Sequence, residues 1–285
     1  MTKILSSKPI VDHAIVDLKH QCDVLRNKGV IPCLKVILVG ENSASLVYTS
    51  NKKKFCDKIG ADCEIVRLKE NTSSEELVAL LIKLGADKSV HGIIVQLPLP
   101  KHLNGLQVDT LIPPNKDVDG FHPLNLGSML IGKSKSFLPC TPKAIINLLK
   151  YYQISISGKN AVIIGRSNIV GKPIGILLLQ ENATVSYCHS YTKDLSFFTR
   201  HADIVVAAIG KAKFLDNRFF DINKQATVID VGMNRDNEGK LCGDVDYEKV
   251  FPIVSGITPV PGGIGPLTII GLLQNLLQAT QNSLI

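Results

Sequence analysis

No apolar run in the sequence is long enough to span a membrane. The longest, GIIVQLPLP and NAVIIG, are strand-sized, against the ~20 residues a membrane helix needs. The N-terminus MTKILSSKPIVDHAIVDLKHQ lacks the apolar block and small-residue cleavage site of a signal peptide, and reads as an amphipathic helix after a short lead. A cytoplasmic protein is expected. Metal-site spacing is missing too. The seven cysteines, Cys22, Cys33, Cys56, Cys63, Cys140, Cys188 and Cys242, form no CxxC and no zinc-finger spacing with histidine. Reduced thiols and no bound metal are expected. The net charge of +7 has no basic cluster behind it, and no RNA-binding aromatic motif accompanies it. Nucleic acid is therefore not an expected partner, whereas phosphorylated cofactors and polycarboxylate substrates suit such a charge.

What is present fits a packed globular protein: 45% hydrophobic and 20% charged residues over 285 positions, enough for two modest domains or one large one. Strand and helix signals alternate, which predicts a parallel α/β architecture. The first half reads as a helix over 8–28, a strand over 34–40, a helix over 45–59 and a strand over 63–68. TSSEELVALLIKLGAD is a helix with a capping signal, Ser73 or Ser74 before paired glutamates. A third strand, 92–100, is closed by prolines. The Gly-, Pro- and Asn-rich stretch 102–139 reads as loops with one short helix. CTPKAIINLLKYYQ follows as a helix, with Thr141 as N-cap and Pro142 at its first position, and the domain joint is placed near it. A second α/β run has strands over 160–165, 183–188, 203–210 and 226–232, and an apolar helix over 267–278. The expected domains are 1–140 with 267–285, and 141–266.

VIIGRSNIVGKPIGILLL follows a buried-type strand and opens a helix, the setting of a dinucleotide fingerprint. It departs from G-x-G-x-x-G: Gly165 fills the first place, Ser167 the second and Val170 the third, with Gly171 one residue late. The next strand ends in His189 and Ser190, not in the acid that binds an adenosine 2′-hydroxyl in NAD sites. The missing acid favours NADP, with Arg166 as counter-charge and Ser167 and Ser190 as hydrogen-bond donors to a 2′-phosphate. Backbone amides at the start of the 170–180 helix would face the pyrophosphate.

In YTSNKKKFCDKIG three lysines are consecutive. With Tyr48 at zero, a helix puts Lys52 at about 40°, Phe55 at about 340° and Ile59 at about 20°, but Lys53 near 140° and Lys54 near 240°. Only Lys52 shares the apolar face. Either its stem lies along apolar surface with the ammonium in water, or it is partly desolvated and available as a proton shuttle. Gln96 falls near the C-terminal end of a strand, where open α/β sheets bind ligands; it is either a structural amide or a functional one. The Asp117–Asp119–Gly120 loop lacks the downstream glutamate of a calcium-binding EF-hand loop.

YTSNKKK, GIIVQLPLP, PNKDVDGFHPLNLG, PCTP, GRSNIVGKP, ATVSYCHSYT, ADIVVAAIGK, VIDVGMNR and TPVPGGIGPLT together resemble the bifunctional methylenetetrahydrofolate dehydrogenase/methenyltetrahydrofolate cyclohydrolase family, in family order over about 250 residues. The resemblance implies an N-terminal α/β catalytic domain and a C-terminal Rossmann-like parallel sheet with a cleft between them. It implies oxidation of 5,10-methylenetetrahydrofolate with NADP, then hydrolysis to 10-formyltetrahydrofolate, within the one-carbon metabolism that serves purine, methionine and histidine biosynthesis. Carried over, Tyr48 stacks along the aminobenzoyl ring and Lys52 is the acid/base residue of hydrolysis, bonded to Gln96. Asp119 anchors the pterin, and Pro261, Gly262 and Gly263 line the folate side. Gly165, Arg166, Ser167, Ser190 and Gly210 form the cofactor set. A homodimer is also implied; whether polyglutamylated folates bind better is left open. Two departures stand out. Tyr191 occupies the place of a usual basic residue, and the usual D-G-K near the N-terminus reads Ser6-Ser7-Lys8. Rival readings are a single-activity enzyme of the same fold, an NADP enzyme of the shikimate- or amino-acid-dehydrogenase kind and, most remotely, a basic nucleic-acid-binding module.

Overall fold

A computed structural model of the protein describes residues 1–133 and 136–284. Along the chain lie β1 (Lys3–Ile4), α1 (Lys8–Asn27), β2 (Cys33–Val39), α2 (Ser43–Ile59), β3 (Asp62–Leu68), α3 (Ser74–Ala86), β4 (Gly92–Val95), α4 (Val108–Leu111), α5 (Pro123–Leu130) and α6 (Cys140–Tyr151). Then follow β5 (Asn160–Ile164), α7 (Gly171–Gln180), β6 (Thr184–Cys188), α8 (Leu195–Arg200), β7 (Ile204–Ala207), β8 (Thr227–Asp230), β9 (Asn234–Arg235), β10 (Leu241–Cys242), α9 (Tyr247–Val250), β11 (Gly256–Ile257) and α10 (Ile264–Asn282). Packing divides the chain into two units. One holds Asp12–Cys140 and Ile269–Ile285, the other Met1–Val11 and Thr141–Thr268.

The first unit is built on a parallel three-stranded sheet in the order β3-β2-β4. The central strand, CLKVILV, is buried almost throughout, as a parallel strand covered on both faces must be. The capping box of α3 is complete: Ser73 accepts from Glu76 N while Glu76 accepts from Ser73 N. That helix buries Leu77, Leu81 and Leu84, one stripe at helical spacing, against Ile37, Val39, Ile93 and Val95. The strand expected over 92–100 stops at Val95, so Gln96 lies just beyond it; its amide still donates to Ile37 O (2.9 Å). The stretch expected to hold one short helix contains α4, α5 and a 3₁₀ turn at Lys101–Leu103; its residues 134–135 lie outside the described residues.

The second unit has a six-stranded parallel sheet in the order β1-β11-β8-β7-β5-β6. From β5 the chain steps outward to β6, then returns across β5 to β7 and onward to β8. The strand order therefore reverses at β5 and β7, and their carboxyl ends flank the crevice where open α/β sheets take ligands. Gly165 follows β5 and Gly210 lies just past β7. β1 and β11 are two residues each, too short to show a period, and neither is expected from the sequence. Because β1 pairs with β11 (Lys3 with Gly256, Ile4 with Ile257), residues 1–11 pack with this unit, whereas the sequence places them with the first. Helix α6 starts at Cys140, so Thr141 is inside it and not its cap; Thr141 Oγ1 and Thr268 Oγ1 share a hydrogen bond (3.2 Å).

Candidate functional site

In the first unit the candidate residues gather on α2 and the two segments beside β4. Asn42 caps α2 by accepting from Ser45 N, and Gly60 closes it in the left-handed region (φ +82°). Among its described side chains Ser45, Thr49, Cys56 and Ile59 are buried; Tyr48, Lys52 and Phe55 are half-buried, and Lys53 and Lys54 are exposed. On the wheel that sets Tyr48 at zero, the buried residues span about 20° to 100°. Lys52 therefore lies within the buried arc, with Tyr48 and Phe55 on its margin. The exposed Lys53 donates to Cys63 O (3.0 Å) and pairs with Asp57 (3.8 Å).

Lys52 Nζ donates to Gln96 Oε1 (3.0 Å), and Gln96 Nε2 donates to Leu97 O (2.9 Å). The second bond fixes which end of the amide faces the lysine. Burial pushes the Asp119 carboxyl above the usual carboxylate range; the Lys52 ammonium opposes that rise, Asp117 adds to it, and a hydrogen bond with Cys140 opposes it. The structure thus brings Lys52, Gln96 and Asp119 together on one unit. Tyr48 is on the same helix, and burial pushes its phenol up.

Asp119 is held by a loop whose organiser is Asp117. Oδ1 of Asp117 accepts from Gly120 N (3.1 Å) and Phe121 N (3.2 Å). Its Oδ2 accepts from His122 N (2.7 Å) and Asn125 Nδ2 (2.8 Å). From α10, Asn275 Nδ2 donates to Val118 O and Leu138 O (2.9 Å each). Gly120 takes φ +80°, and a Cβ there would stand 2.6 Å from the Leu138 carbonyl carbon, so no other residue fits.

Pro261, Gly262 and Gly263 belong to the second unit. Their loop is hooked by Ser7, whose N–H and Oγ–H both donate to Gly262 O (2.8 Å each). A Cβ on Gly263 would lie 2.5 Å from Pro259 O. The sequence alone gives Ser7 no role, because it departs from a pattern; its burial and its two bonds show what it does.

The nucleotide turn is formed at the switch point. Gly165 has φ +123°, and a Cβ there would meet Ala208 O at 2.2 Å. Gly171, one place late in the fingerprint, serves the close packing of helix on turn, since a Cβ would meet Gly165 O at 2.4 Å. Ser167 Oγ accepts from Val170 N and Gly171 N (3.2 Å each), and Ser167 O from Lys172 N (3.0 Å). Those three amides, expected to face a pyrophosphate, are engaged by Ser167 itself, a serine three residues before Val170 whose oxygens accept from the backbone ahead of it. Arg166, Ser167 and Ser190 are exposed. The Arg166 guanidinium carbon lies 5.5 Å from the Tyr191 ring centroid, a cation–π contact.

A family model described as the catalytic domain of tetrahydrofolate dehydrogenase/cyclohydrolase matches residues 5–119, and one for its NAD(P)-binding domain matches residues 139–284. The chain is 50% identical over 279 residues to the bifunctional protein FolD of Agathobacter rectalis, covering 98% of this chain and 99% of that protein. The chain belongs to the tetrahydrofolate dehydrogenase/cyclohydrolase family. Among solved structures of the family, the bifunctional enzyme FolD from Campylobacter jejuni superposes with TM-score 0.95 at 46% identity, covering 99% of both chains. The Trypanosoma brucei methylenetetrahydrofolate dehydrogenase-cyclohydrolase, solved with NADP cofactor and an inhibitor, superposes with TM-score 0.93 at 33% identity, covering 99% of this chain and 98% of that one.

Within this family, the second unit's residues fit NADP. The absence of an acid at His189–Ser190 and an exposed arginine beside the turn are features that suit a 2′-phosphorylated dinucleotide. None of the seven cysteines is in a disulfide. Among the described residues no His, Cys, Asp and Glu cluster is arranged to hold a metal, and no helix is long and apolar enough to cross a membrane.

Proposed function

We infer that the protein oxidises 5,10-methylenetetrahydrofolate to 5,10-methenyltetrahydrofolate with NADP and hydrolyses that product to 10-formyltetrahydrofolate. The observation that carries this reading is the Lys52–Gln96 hydrogen bond, 3.0 Å long, on the same unit as Asp119. Family membership over nearly the full chain supports it.

NADP, when bound, supplies the hydride acceptor. Loss of hydride from the methylene carbon leaves an amidinium-like cation, so the protein's part in that step is positioning, not proton transfer. Asp119 holds the pterin through its amino and ring nitrogens, and Tyr48 packs along the aminobenzoyl ring. Pro261, Gly262 and Gly263 line the folate. Gly165, Arg166, Ser167, Ser190 and Gly210 hold the dinucleotide, Arg166 and the two serines at its 2′-phosphate. Hydrolysis does need proton management. Water adds to the methenyl carbon and gives up a proton, forming a tetrahedral carbinolamine. The bond from that carbon to N5 then breaks, N5 takes a proton, and the formyl group stays on N10. Lys52 Nζ is the group we assign to these proton movements. Gln96 holds it in place through Oε1, itself oriented by the bond to Leu97 O. We further propose that the enzyme works in the cytoplasm as a homodimer, accepts polyglutamylated folates, and feeds one-carbon units to purine, methionine and histidine biosynthesis.

One absorbance trace with methylenetetrahydrofolate and either NADP or NAD follows methenyl formation and its decay. Formation with NADP and subsequent decay are expected. A decisive preference for NAD would overturn the assignment of Arg166 and Ser190. In the variant Lys52→Met, hydrolysis of methenyltetrahydrofolate is expected to fall by about 10²-fold or more, the usual worth of a positioned acid/base, with NADP binding kept. Hydrolysis near the wild-type rate would remove Lys52 from the mechanism.

A further inference from the structure

Two buried aspartates of the second unit have no part in the function proposed above, yet they are joined to the turn that carries Gly210. Asp244 is fully buried, and its carboxylate accepts four hydrogen bonds. Three come from consecutive backbone amides just past β7: Ile209 N (2.7 Å) and Gly210 N (3.2 Å) on Oδ2, and Lys211 N (2.8 Å) on Oδ1. The fourth is Asn234 Nδ2 on Oδ1 (2.8 Å). Asp244 is fixed in turn by Asp230, the last residue of β8. Asp230 Oδ1 accepts from Asp244 N and Gly232 N, and Oδ2 from Val245 N (2.9 Å each). Two glycines make room for this arrangement. A Cβ on Gly232 would stand 2.4 Å from Asp244 Oδ1, and one on Gly243 would lie 1.8 Å from Asp230 Oδ2.

We propose that Asp244 is a positioning residue for the cofactor: it sets the Ile209–Gly210–Lys211 turn at the mouth of the dinucleotide crevice. The proposal rests on the reading of this unit as the NADP site. Its physical basis is the geometry of the peptide group, in which N–H and C=O point in opposite directions across one plane. Three successive amides drawn onto one carboxylate send the carbonyls of Ala208, Ile209 and Gly210 away from it. The Ala208 carbonyl points toward Gly165, as the 2.2 Å approach to that glycine's missing Cβ shows. With Ala208 seated against Gly165, the Ile209 and Gly210 carbonyls are left as held acceptors beside the nucleotide turn, suited to the amide donors of a nicotinamide carboxamide. A carboxylate is costly to bury unless its oxygens are hydrogen-bonded; here backbone amides of the turn fill them, so turn and carboxylate fix one another. Glycine at 210, with φ +68°, permits the bend.

The test replaces one charged oxygen by an amide, Asp244→Asn, and measures NADP binding by titration calorimetry alongside both activities. The carboxamide offers donors where the turn's amides also donate, so the NADP Kd is expected to rise about tenfold or more. KM for NADP should rise by a similar factor with kcat changed less. Hydrolysis of methenyltetrahydrofolate without NADP should fall far less than dehydrogenase kcat/KM. An unchanged Kd in the folded variant overturns the proposal, as does a parallel loss of NADP binding and of cofactor-free hydrolysis, the mark of a merely structural residue. Should Asp244→Asn not fold, Asn234→Ala removes one donor and keeps both acids. A Kd raised about threefold is then expected, and an unchanged one overturns the proposal. A wild-type protein that hydrolyses methenyltetrahydrofolate but fails to bind NADP overturns the reading of the site itself, and the clamp with it.

Discussion

Asp117→Asn tests whether one loop carboxylate governs its neighbour Asp119, the one we assign to the pterin. In the wild type, four N–H groups converge on the two Asp117 oxygens, at 2.7 to 3.2 Å. Asparagine keeps a single acceptor oxygen. If that oxygen takes the shorter pair, His122 N and Asn125 Nδ2, the amide group faces Gly120 N and Phe121 N; the reverse orientation abandons the other pair. Either way two donors lose their acceptor outright, and the other two keep only a neutral one. At about 1.5–3 kcal/mol for each bond to a charged group, the loss is about 3–6 kcal/mol. That is a large share of the roughly 5–15 kcal/mol that holds a domain folded. Urea unfolding followed by circular dichroism is the assay. With a slope of about 1–3 kcal/mol per molar urea, the transition of the unit carrying β2, β3 and β4 is expected to move down by at least about 1 M. Because Asp119 is two residues along the same loop, KM for methenyltetrahydrofolate hydrolysis should rise as well. A midpoint and KM both within error of wild type would refute the claim that Asp117 organises the loop.

Asp230 carries a signed pH prediction. Burial lifts its carboxyl from the ordinary 3.8 to about 7, against the opposing hydrogen bonds from Asp244, Val245 and Gly232, with Asp244's charge adding to the rise. Between those values the folded protein holds a proton that the unfolded chain has released. This group therefore favours folding most at low pH, and its contribution falls as pH rises through that window, by about 4 kcal/mol in all. Asp230→Asn is expected to flatten that part of a Tm-against-pH profile; an unchanged slope would show that Asp230 is ionised in the folded state throughout. Tyr191→Ala removes the ring beneath Arg166. An exposed cation–π contact is worth about 0.5–1 kcal/mol, so the preference for NADP over NAD should drop about two- to fivefold, read from the two Kd values. A preference that rises instead would show that Tyr191 obstructs the arginine.

The parts of the structure legible in the sequence are those with a period or a fixed motif. Helical geometry separates Lys52 from Lys53 and Lys54, and the resemblance adds Gln96 as its partner. The buried arc of α2 is less legible, because Ser45 and Thr49 are polar letters on an inward face. Strand pairing by β1 and β11 leaves no trace, since two residues cannot show alternation. Asp117 and Asp244 are hidden for a different reason: an aspartate that clamps backbone amides is spelled like one that binds a ligand, and only its neighbours in space tell them apart. The signal of a clamp in the second unit is a pair of glycines, Gly232 beside the Asp244 carboxylate and Gly243 beside that of Asp230. Thr141 followed by Pro142 imitates a helix start, yet α6 already begins at Cys140.

Strand β1 has a consequence for synthesis of the protein. Its partner is about 250 residues away: Lys3 pairs with Gly256 and Ile4 with Ile257. Ser7, near the same end, hooks Gly262. A ribosome adding about 5–20 residues per second needs roughly 10–50 s between the two ends of that pairing. The first unit waits as well, because Asn275 of α10 supplies the bonds to Val118 and Leu138 beside Asp119. β1 therefore stays unpaired until β11 has been made, and the loop around Asp119 lacks its Asn275 bonds until α10 has followed.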